Sequence, residues 1–169
     1  LITEDVHVSA ITGSTGAGQS LSPTSHFSWR NNNVSVYKTF THQHLAEIKQ
    51  TLGTKNAIHF IPYRGNFSRG IMANVYTPYS GTQEQAEKLY EDFYANSPFV
   101  FLSPEAVDVK QVVNTNKCFL HLHVHEGQIL ISSVIDNLIK GASGQAVQNM
   151  NLMLGWEEDL GLKLKASSF

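Results

Sequence analysis

Two histidines and one carboxylate form the group in this chain best suited to chemistry, His42, His44 and Glu47. They fall in a stretch whose apolar residues recur with the period of a short helix, namely Leu45, Ile48 and Leu52. On a helix, residues three apart are neighbours, so Glu47 lies within reach of His44. The positive end of the helix disfavours an imidazolium while the carboxylate favours it, which can hold a histidine near neutrality. Such a histidine transfers protons efficiently.

Two other interpretations of this group stay open from spacing alone. Thr41 is a suitable N-cap and Gly53 a suitable stop, so the three side chains also fit a cap with a surface ion pair. A zinc site fits less well, because the metalloprotease helix carries His-Glu-x-x-His and here the glutamate follows both histidines. Three more histidines alternate along one predicted strand without Asp, Glu or Cys on that face: His121, His123 and His125. We therefore predict no metal site.

A glycine-rich segment follows the first predicted strand, Gly13-Ser14-Thr15-Gly16-Ala17-Gly18-Gln19-Ser20. It nearly matches the phosphate loop G-x-x-x-x-G-K-[ST], but Gln19 replaces the lysine whose charge reaches the terminal phosphates. Pro23 also disfavours the long helix that such a loop should open. We therefore exclude a nucleotide triphosphatase. The backbone of the segment can still approach a phosphate or a nicotinamide closely, and a plain flexible turn fits equally well.

Composition predicts one globular domain that binds neither nucleic acid nor membranes. The 169 residues are 41% hydrophobic, carry a net charge of -2, and contain no apolar run that approaches the roughly 18 residues of a membrane span. Only 15% are charged, which indicates that part of the surface is an interface. The single cysteine, Cys118, favours a reducing compartment such as the cytoplasm. Because the chain begins at Leu1 without a start or signal sequence, we expect a piece of a longer polypeptide.

The rest of the chain reads mainly as strands. Alternating or β-branched segments predict strands at 5–12, 34–38, 56–62, 70–79, 98–102, from 112 onward, 118–125 and 128–135. Thr82-Gln83-Glu84-Gln85 is a capping box that opens a helix to about residue 95, with a buried side formed by Ala86, Leu89, Tyr90 and Phe93. A loop at 64–70 carries Arg64 and Arg69, which could clamp an anion, although composition alone favours two solvated charges.

A long helix is predicted over 136–155, between a suitable N-cap, Asp136, and a suitable end, Gly155. Its apolar side would consist of Leu138, Ala142, Ala146, Met150 and Met153. The small-residue turn at 141–144 costs helix propensity, about 1 kcal/mol for each glycine. We expect close packing against its backbone to offset that cost.

This long segment, DNLIKGASGQAVQNMNLMLG, resembles the C-terminal signature of the N-acetyl-gamma-glutamyl-phosphate reductases, NADPH-dependent enzymes of arginine biosynthesis. Three other segments resemble that family in the same order: GSTGAGQ, VYK followed by HQHLAEI, and RGI at 69–71. The chain departs from the family pattern at Thr15, Gln19, Gln43 and Ala46. The resemblance extends from about Val8 to Leu162.

The resemblance implies that residues 1–169 are the second domain of a two-domain enzyme related in fold to glyceraldehyde-3-phosphate dehydrogenase. Such a domain is an α+β unit with a mixed, largely antiparallel sheet and helices on one face, and it also makes dimer contacts. We expect a homodimer or homotetramer, with the 136–155 helix packed on an N-terminal nucleotide-binding domain that this chain lacks.

The resemblance also implies roles for single residues. In the family, a cysteine thiolate attacks the acyl phosphate, phosphate leaves, and hydride from NADPH reduces the thioester. By position, His42 is the first candidate for the histidine that handles protons, with Glu47 tuning it and His44 as the alternative. Lys38 and Arg69 would hold the anionic groups of the substrate. The nicotinamide would lie near Thr15, Gly16, Ala17, Gly18 and Asn137.

Two parts of the family's machinery are missing from this chain. It has no Gly-Cys motif, because Cys118 falls in a predicted strand as a small core residue, and no G-x-G-x-x-G unit. We therefore expect no reductase activity from these residues alone. Two alternatives remain: a sister reductase for N-succinyl-glutamyl or carrier-linked aminoadipyl phosphate, and a dimerisation module without chemistry.

Overall fold

A seven-stranded sheet organises the computed structural model, which describes residues 3–166. The strands are β1 Val6–Thr12, β2 Ser35–Val36, β3 Ile58–Arg64, β4 Ile71–Pro78, β5 Val100–Leu102, β6 Cys118–His125 and β7 Gln128–Ile135. They lie in the order β2-β3-β1-β4-β7-β6-β5. Strand β1 pairs with β3, and β5 with β6, in parallel; the other neighbours are antiparallel. The predicted mixed, largely antiparallel sheet is confirmed.

Four α-helices lie between residues 3 and 166: α1 Phe27–Arg30, α2 His44–Leu52, α3 Gln83–Tyr94 and α4 Gly144–Met153. Two of them, α2 and α3, pack on one face of this sheet. Helix α3 starts at the predicted capping box and buries Ala86 against Leu122 and Ile129. Its predicted buried side is only partly right, because Phe93 is 77% exposed. Helix α2 ends at Gly53, whose φ of 60° provides the left-handed stop that the sequence predicts.

The opposite face of the sheet is only partly covered. Val134 is buried there against Val107 and Val112, which precede β6 in the chain. Along the same face, the rings of His7, His59 and Tyr76 stack across three strands, and Tyr76 remains 44% exposed. An aromatic row left open to solvent is a feature of interaction surfaces.

The strand predicted from Val112 does not form. Asp108 instead begins a 3-10 turn, Val109–Gln111, in which a second capping box binds the backbone. Further on, the hydroxyl of Thr115 donates to the carbonyl of Val112, and Asn114 takes a φ of 64°. The segment is buried, but local hydrogen bonds replace the ladder that a strand would need.

The long helix predicted at 136–155 is interrupted. Residues Ile139–Ser143 form a π-helical turn, and only then does α4 begin. Gly144 allows the change because a Cβ there would collide with the side chains of Asn116 and Ile139, which are part of this same domain. No helix between residues 3 and 166 is long and apolar enough to cross a membrane.

Helix α4 turns a polar side toward this domain. Its buried side chains are polar, since Gln148 and Asn151 bond to the segment that follows the helix. Its apolar side is exposed, with Met153 at 85% and Met150 at 44%. Periodicity found the stripe, but the stripe faces away from this domain.

Candidate active site

A cleft of about 560 Å³ lies at the carboxyl ends of β1 and β3 and brings together most of the predicted site residues. Its walls include residues from four separate stretches: Gly16 and Ala17, then Lys38, then His42, Gln43 and His44, and finally Asn137 and Gly141. Arg69 does not line it. No cysteine from the described part of the chain lines the cleft.

Backbone hydrogen bonds fix the segment that carries Lys38 and His42. The amides of Tyr37 and Phe40 each donate to a β3 carbonyl at 3.1 Å. Lys38 and Phe40 have φ values of 46° and 57°, in the left-handed region that side chains rarely adopt. Local strain of this kind concentrates at functional sites. The Lys38 ammonium donates to the Gln43 side-chain oxygen at 2.8 Å, at the wall of the cleft.

His42 caps the histidine helix. Its Nδ1 accepts a hydrogen bond at 3.3 Å from the amide of His44, so Thr41 does not have the capping role predicted for it. His42 is 9% exposed, and its ring meets the rings of Tyr37, Phe60 and His44 edge-on. A ring whose Nδ1 accepts a hydrogen bond in its neutral form carries its proton on Nε2.

The pKa of His42 lies below its ordinary value. Burial is the main cause, and repulsion from His44 and Lys38 adds to it. Glu47 does not cause the shift: it is exposed, and no hydrogen bond or ion pair between residues 3 and 166 joins it to either ring. His42 is therefore tuned by burial and cationic neighbours, and not by the balance of helix dipole and carboxylate that the sequence predicts.

His44 occupies the open side of this pair. It is the first residue of α2, it is exposed, and its ring lies 4.7 Å from that of His42. It also lines the cleft. Of the two imidazoles, His44 is the more accessible to a group that approaches from outside this domain.

Asn137 joins the glycine loop to the end of β7. Its amide nitrogen donates to the Thr15 hydroxyl at 3.0 Å, and its amide oxygen accepts from the amide of Gly70 at 2.7 Å. The loop forms one 3-10 turn, Ser14–Ala17, which Gly18 closes with a φ of 78°. Gly16 and Ala17 face the cleft, whereas Thr15 faces Asn137. The structure thus brings the loop and Asn137 together at one edge of the cleft.

Arg69 has a structural partner, contrary to the prediction that it binds substrate. Its guanidinium lies 3.1 Å from a carboxylate oxygen of Asp136, which is fully buried. Burial raises the pKa of Asp136, but three backbone amides and Arg69 outweigh it, so that the pKa lies below its ordinary value. Two of those amides, from Leu138 and Ile139, open the π-helical turn. This ion pair holds the loop at 64–70 against the start of the last helical segment.

Sequence reasoning missed Arg30 and favoured solvent for Arg64. Arg64 lines the cleft with its guanidinium 4.5 Å from the centre of the Tyr37 ring, and Arg30 lies behind it, 7% exposed. Arg30 and Arg64 are 34 positions apart in sequence, and Arg30 lies in a polar stretch without periodicity. No local signal could have paired them.

The remaining candidates form no second centre. Burial raises the pKa of the Cys118 thiol, which lies 3.6 Å from the Ser133 hydroxyl. His121 bonds to the carbonyl of Ser103 at 3.1 Å, while His123 and His125 stack on each other. Within residues 3–166, no three His, Cys, Asp or Glu side chains are placed to share a metal ion.

Comparison with known proteins gives one consistent family. A family model described as semialdehyde dehydrogenase, dimerisation domain, matches residues 1–137. Relatives named N-acetyl-gamma-glutamyl-phosphate reductase match the whole chain, at 59% identity in Christiangramia forsetii and 55% in Bacteroides thetaiotaomicron. The chain spans 54% of the length of each of these relatives.

Solved structures give the same fold. Aspartate semialdehyde dehydrogenase II from Vibrio cholerae, complexed with ASA, matches 90% of this chain and 55% of its own, with a TM-score of 0.65 at 15% identity. A probable aspartate-semialdehyde dehydrogenase from Pseudomonas aeruginosa matches 89% of this chain and 55% of its own, with a TM-score of 0.69 at 14% identity. At these identities the likeness shows the fold alone, and it confirms the predicted fold of a glyceraldehyde-3-phosphate-dehydrogenase-like C-terminal domain.

Proposed function

We propose a function that starts from the family: this chain belongs to the semialdehyde dehydrogenase dimerisation domains, and it supplies one half of the active site of an NADPH-dependent reductase. The substrate is N-acetyl-γ-glutamyl phosphate and the product is N-acetylglutamate semialdehyde, in keeping with the name of the 59%-identical relative. The observation that carries the proposal is the cleft, where two imidazoles and a lysine meet without a cysteine among the described lining residues.

His44 is our first candidate for the imidazole that moves the proton, which reverses the order suggested by sequence. The thiolate must come from the part of the enzyme that this chain lacks, so it reaches the cleft from the open side, where His44 is exposed. His42 has one ring nitrogen occupied by the amide of His44 and is largely buried. Its role is to hold His44 and the start of α2 in place. Glu47 keeps only a distant electrostatic influence on the first turn.

These assignments give each side chain one step in acyl transfer. The His44 imidazole accepts the proton of the incoming thiol, and the thiolate displaces phosphate from the acyl carbon to leave a thioester. Lys38 holds an anionic group of the substrate during this step. Once the thioester carbon has been reduced, its C–S bond breaks to release the aldehyde, and the imidazolium returns its proton to the thiolate.

The glycine loop and Asn137 fit the nicotinamide end of the cofactor. Gly16 lines the cleft, and a Cβ there would come within 3.3 Å of the Thr12 hydroxyl, so a bare backbone fits this position best and can be approached closely by a ligand. NADPH would supply the hydride when bound. Its nucleotide portion would be held by the N-terminal half of the enzyme.

The direct test is an assay of the full-length enzyme and of this chain alone with N-acetyl-γ-glutamyl phosphate and NADPH. The full-length enzyme should oxidise NADPH only when the acyl phosphate is present, and this chain alone should not. A full-length enzyme that binds the acyl phosphate but never reduces it would instead support the module without chemistry.

N-succinyl-glutamyl phosphate is the second candidate substrate. The observation in its favour is that the cleft wall carries Lys38 and Arg64 but no carboxylate from the described residues, which suits a substrate with an extra negative charge. A kcat/KM at least tenfold higher with the N-succinyl than with the N-acetyl compound would decide for it.

Two surfaces would join this domain to the rest of a cytoplasmic enzyme. The exposed apolar side of α4 would pack on the N-terminal nucleotide-binding half, through Met150, Leu152, Met153 and Leu154. The open aromatic row of the sheet would form a dimer contact, which agrees with the dimerisation named in the family model. In sedimentation measurements, Tyr76→Arg should give monomers where the unchanged enzyme gives dimers or tetramers.

A further inference from the structure

We propose, on the basis of the function above, that Arg64 is a specificity-determining residue that binds a carboxylate on the non-reacting part of the N-acylglutamyl substrate. Arg64 is the last residue of β3 and lines the cleft. The family resemblance assigned no role to Arg64.

A series of contacts separates Arg64 from the proposed proton-transfer residue. The His44 ring lies 4.7 Å from that of His42, the His42 ring 5.8 Å from that of Tyr37, and the Arg64 guanidinium 4.5 Å from the Tyr37 ring. Arg64 is thus at the far end of a series of contacts that begins at the proposed proton-transfer residue. A group at that end contacts the substrate away from its acyl phosphate.

Arg64 is held for this task by Arg30 and Tyr37. Arg30 donates to the backbone oxygen of Arg64 at 2.7 Å, and also to the oxygens of Thr24 and Ser35. The Tyr37 ring supports the guanidinium through a cation–π contact. A guanidinium whose backbone and plane are both fixed loses little freedom when it binds a carboxylate in a bidentate manner.

The unneutralised positive charges at Arg64 and Arg30 favour the binding of an anion. Among the described residues, neither Arg30 nor Arg64 forms an ion pair with a carboxylate, and the Nε atoms of both are buried without a hydrogen-bond partner. Arg30 is 7% exposed, and the charge of Arg64 contributes, after burial, to a lowered pKa of Arg30. Two neighbouring cations partly out of water are costly unless an anion neutralises them.

A carboxylate suits this position better than a phosphate. The phosphate of the substrate is attached to the carbonyl that reacts near His44, whereas Arg64 lies beyond Tyr37. Two carboxylates can occupy the far end: the α-carboxylate of the glutamyl unit, or the terminal carboxylate of an N-succinyl group. Both present the planar, two-oxygen geometry that a guanidinium matches.

The test is steady-state kinetics of the full-length enzyme with Arg64→Gln and Arg64→Lys, using both N-acetyl and N-succinyl γ-glutamyl phosphates. We expect Arg64→Gln to raise KM about 10- to 100-fold, because a charge-assisted pair with the substrate is lost. The same variant should change kcat by less than about threefold. Arg64→Lys should recover part of the loss. Lys49→Gln, which removes an exposed cation from α2, is the matched control and should change neither constant.

The two substrates separate the two carboxylates. A KM increase for both identifies the α-carboxylate, and an increase for the N-succinyl compound alone identifies the acyl carboxylate. An unchanged KM for both, or a fall in kcat at constant KM, would overturn the proposal.

Direct binding keeps this test independent of the reductase activity. Succinate titrated into the full-length enzyme should bind at least tenfold more weakly to Arg64→Gln than to the unchanged enzyme, in samples with equal melting temperatures. Equal affinity would overturn the proposal. If the enzyme reduces neither acyl phosphate, the proposed function fails, and the succinate titration still decides the role of Arg64.

Discussion

Two arginines five positions apart, Arg64 at the end of β3 and Arg69 in the loop that follows, meet opposite surroundings. Arg69 pairs with Asp136, a fully buried carboxylate that also accepts three backbone amides. Arg64 stacks on Tyr37 at the cleft wall, beside a second guanidinium, without a carboxylate partner between residues 3 and 166. Neutralisation by a carboxylate, more than residue type, separates an arginine that stabilises a fold from one available to a ligand.

The largest expected effect is the loss of stability in Asp136→Ala. Removing the carboxylate leaves the Arg69 guanidinium and several backbone amides without their partner, which costs about 3–5 kcal/mol for a buried pair. Urea denaturation of the chain measures this. The control is Asp92→Ala, which breaks an exposed pair with Lys88 and should cost about 0.5 kcal/mol or less. Equal losses in the two variants would remove the contrast between buried and exposed partners.

Acid should release the same interaction. The folded pKa of Asp136 lies below its ordinary value of 3.8, so its contribution to stability is complete above that value. It decreases as the pH falls from about 4 through the folded pKa. Urea midpoints between pH 2 and pH 6 should therefore fall less steeply in Asp136→Asn than in the unchanged chain. Parallel curves would show that this carboxylate does not dominate the acid response.

Arg64→Leu should change stability by less than about 1 kcal/mol. The substitution removes repulsion from Arg30 and breaks no ion pair, while it loses one stacking contact with Tyr37. The same urea measurement, made without anions other than chloride, gives the value. A loss near that of Asp136→Ala would mean that Arg64, like Arg69, has a structural function.

Glu47→Gln should have the smallest effect. The carboxylate is exposed and bonded to neither imidazole, so kcat/KM of the full-length enzyme should fall less than about twofold, within the range of a surface charge in a helix's first turn. A hundredfold loss would restore the role that spacing alone suggested for Glu47.

Local signals in the sequence were enough for much of the fold. The capping box at Thr82, the stop at Gly53 and the alternation along β6 and β7 each depend on residues within a few positions of one another. The long helix was predicted wrongly because residues Ile139–Ser143 form a π-helical turn, beside which Asn116, distant in sequence, fills the space next to Gly144. Periodicity gave the apolar side of α4 but not the polar contacts of its other side, since Gln148 and Asn151 bond to residues that follow the helix.

The same contrast between local signals and contacts of distant residues applies to the cleft. His42, His44 and Lys38 belong to one short stretch, so sequence could find them together, and the family resemblance brought in Asn137. The partner of Arg69 is 67 positions away and that of Arg64 is 34, so no spacing rule could tell the structural arginine from the one in the cleft. The tuning of His42 was also out of reach, because burial is a property of the folded chain.

The most direct test of the central claim is kcat/KM of the full-length enzyme carrying His44→Asn, measured beside His42→Asn with N-acetyl-γ-glutamyl phosphate. If His44 moves the proton at the open side of the cleft, its variant should lose about 10²- to 10⁴-fold and lose the acidic limb of the pH profile. His42→Asn should lose less and keep that limb. A His44 variant with unchanged activity and pH profile would contradict the account.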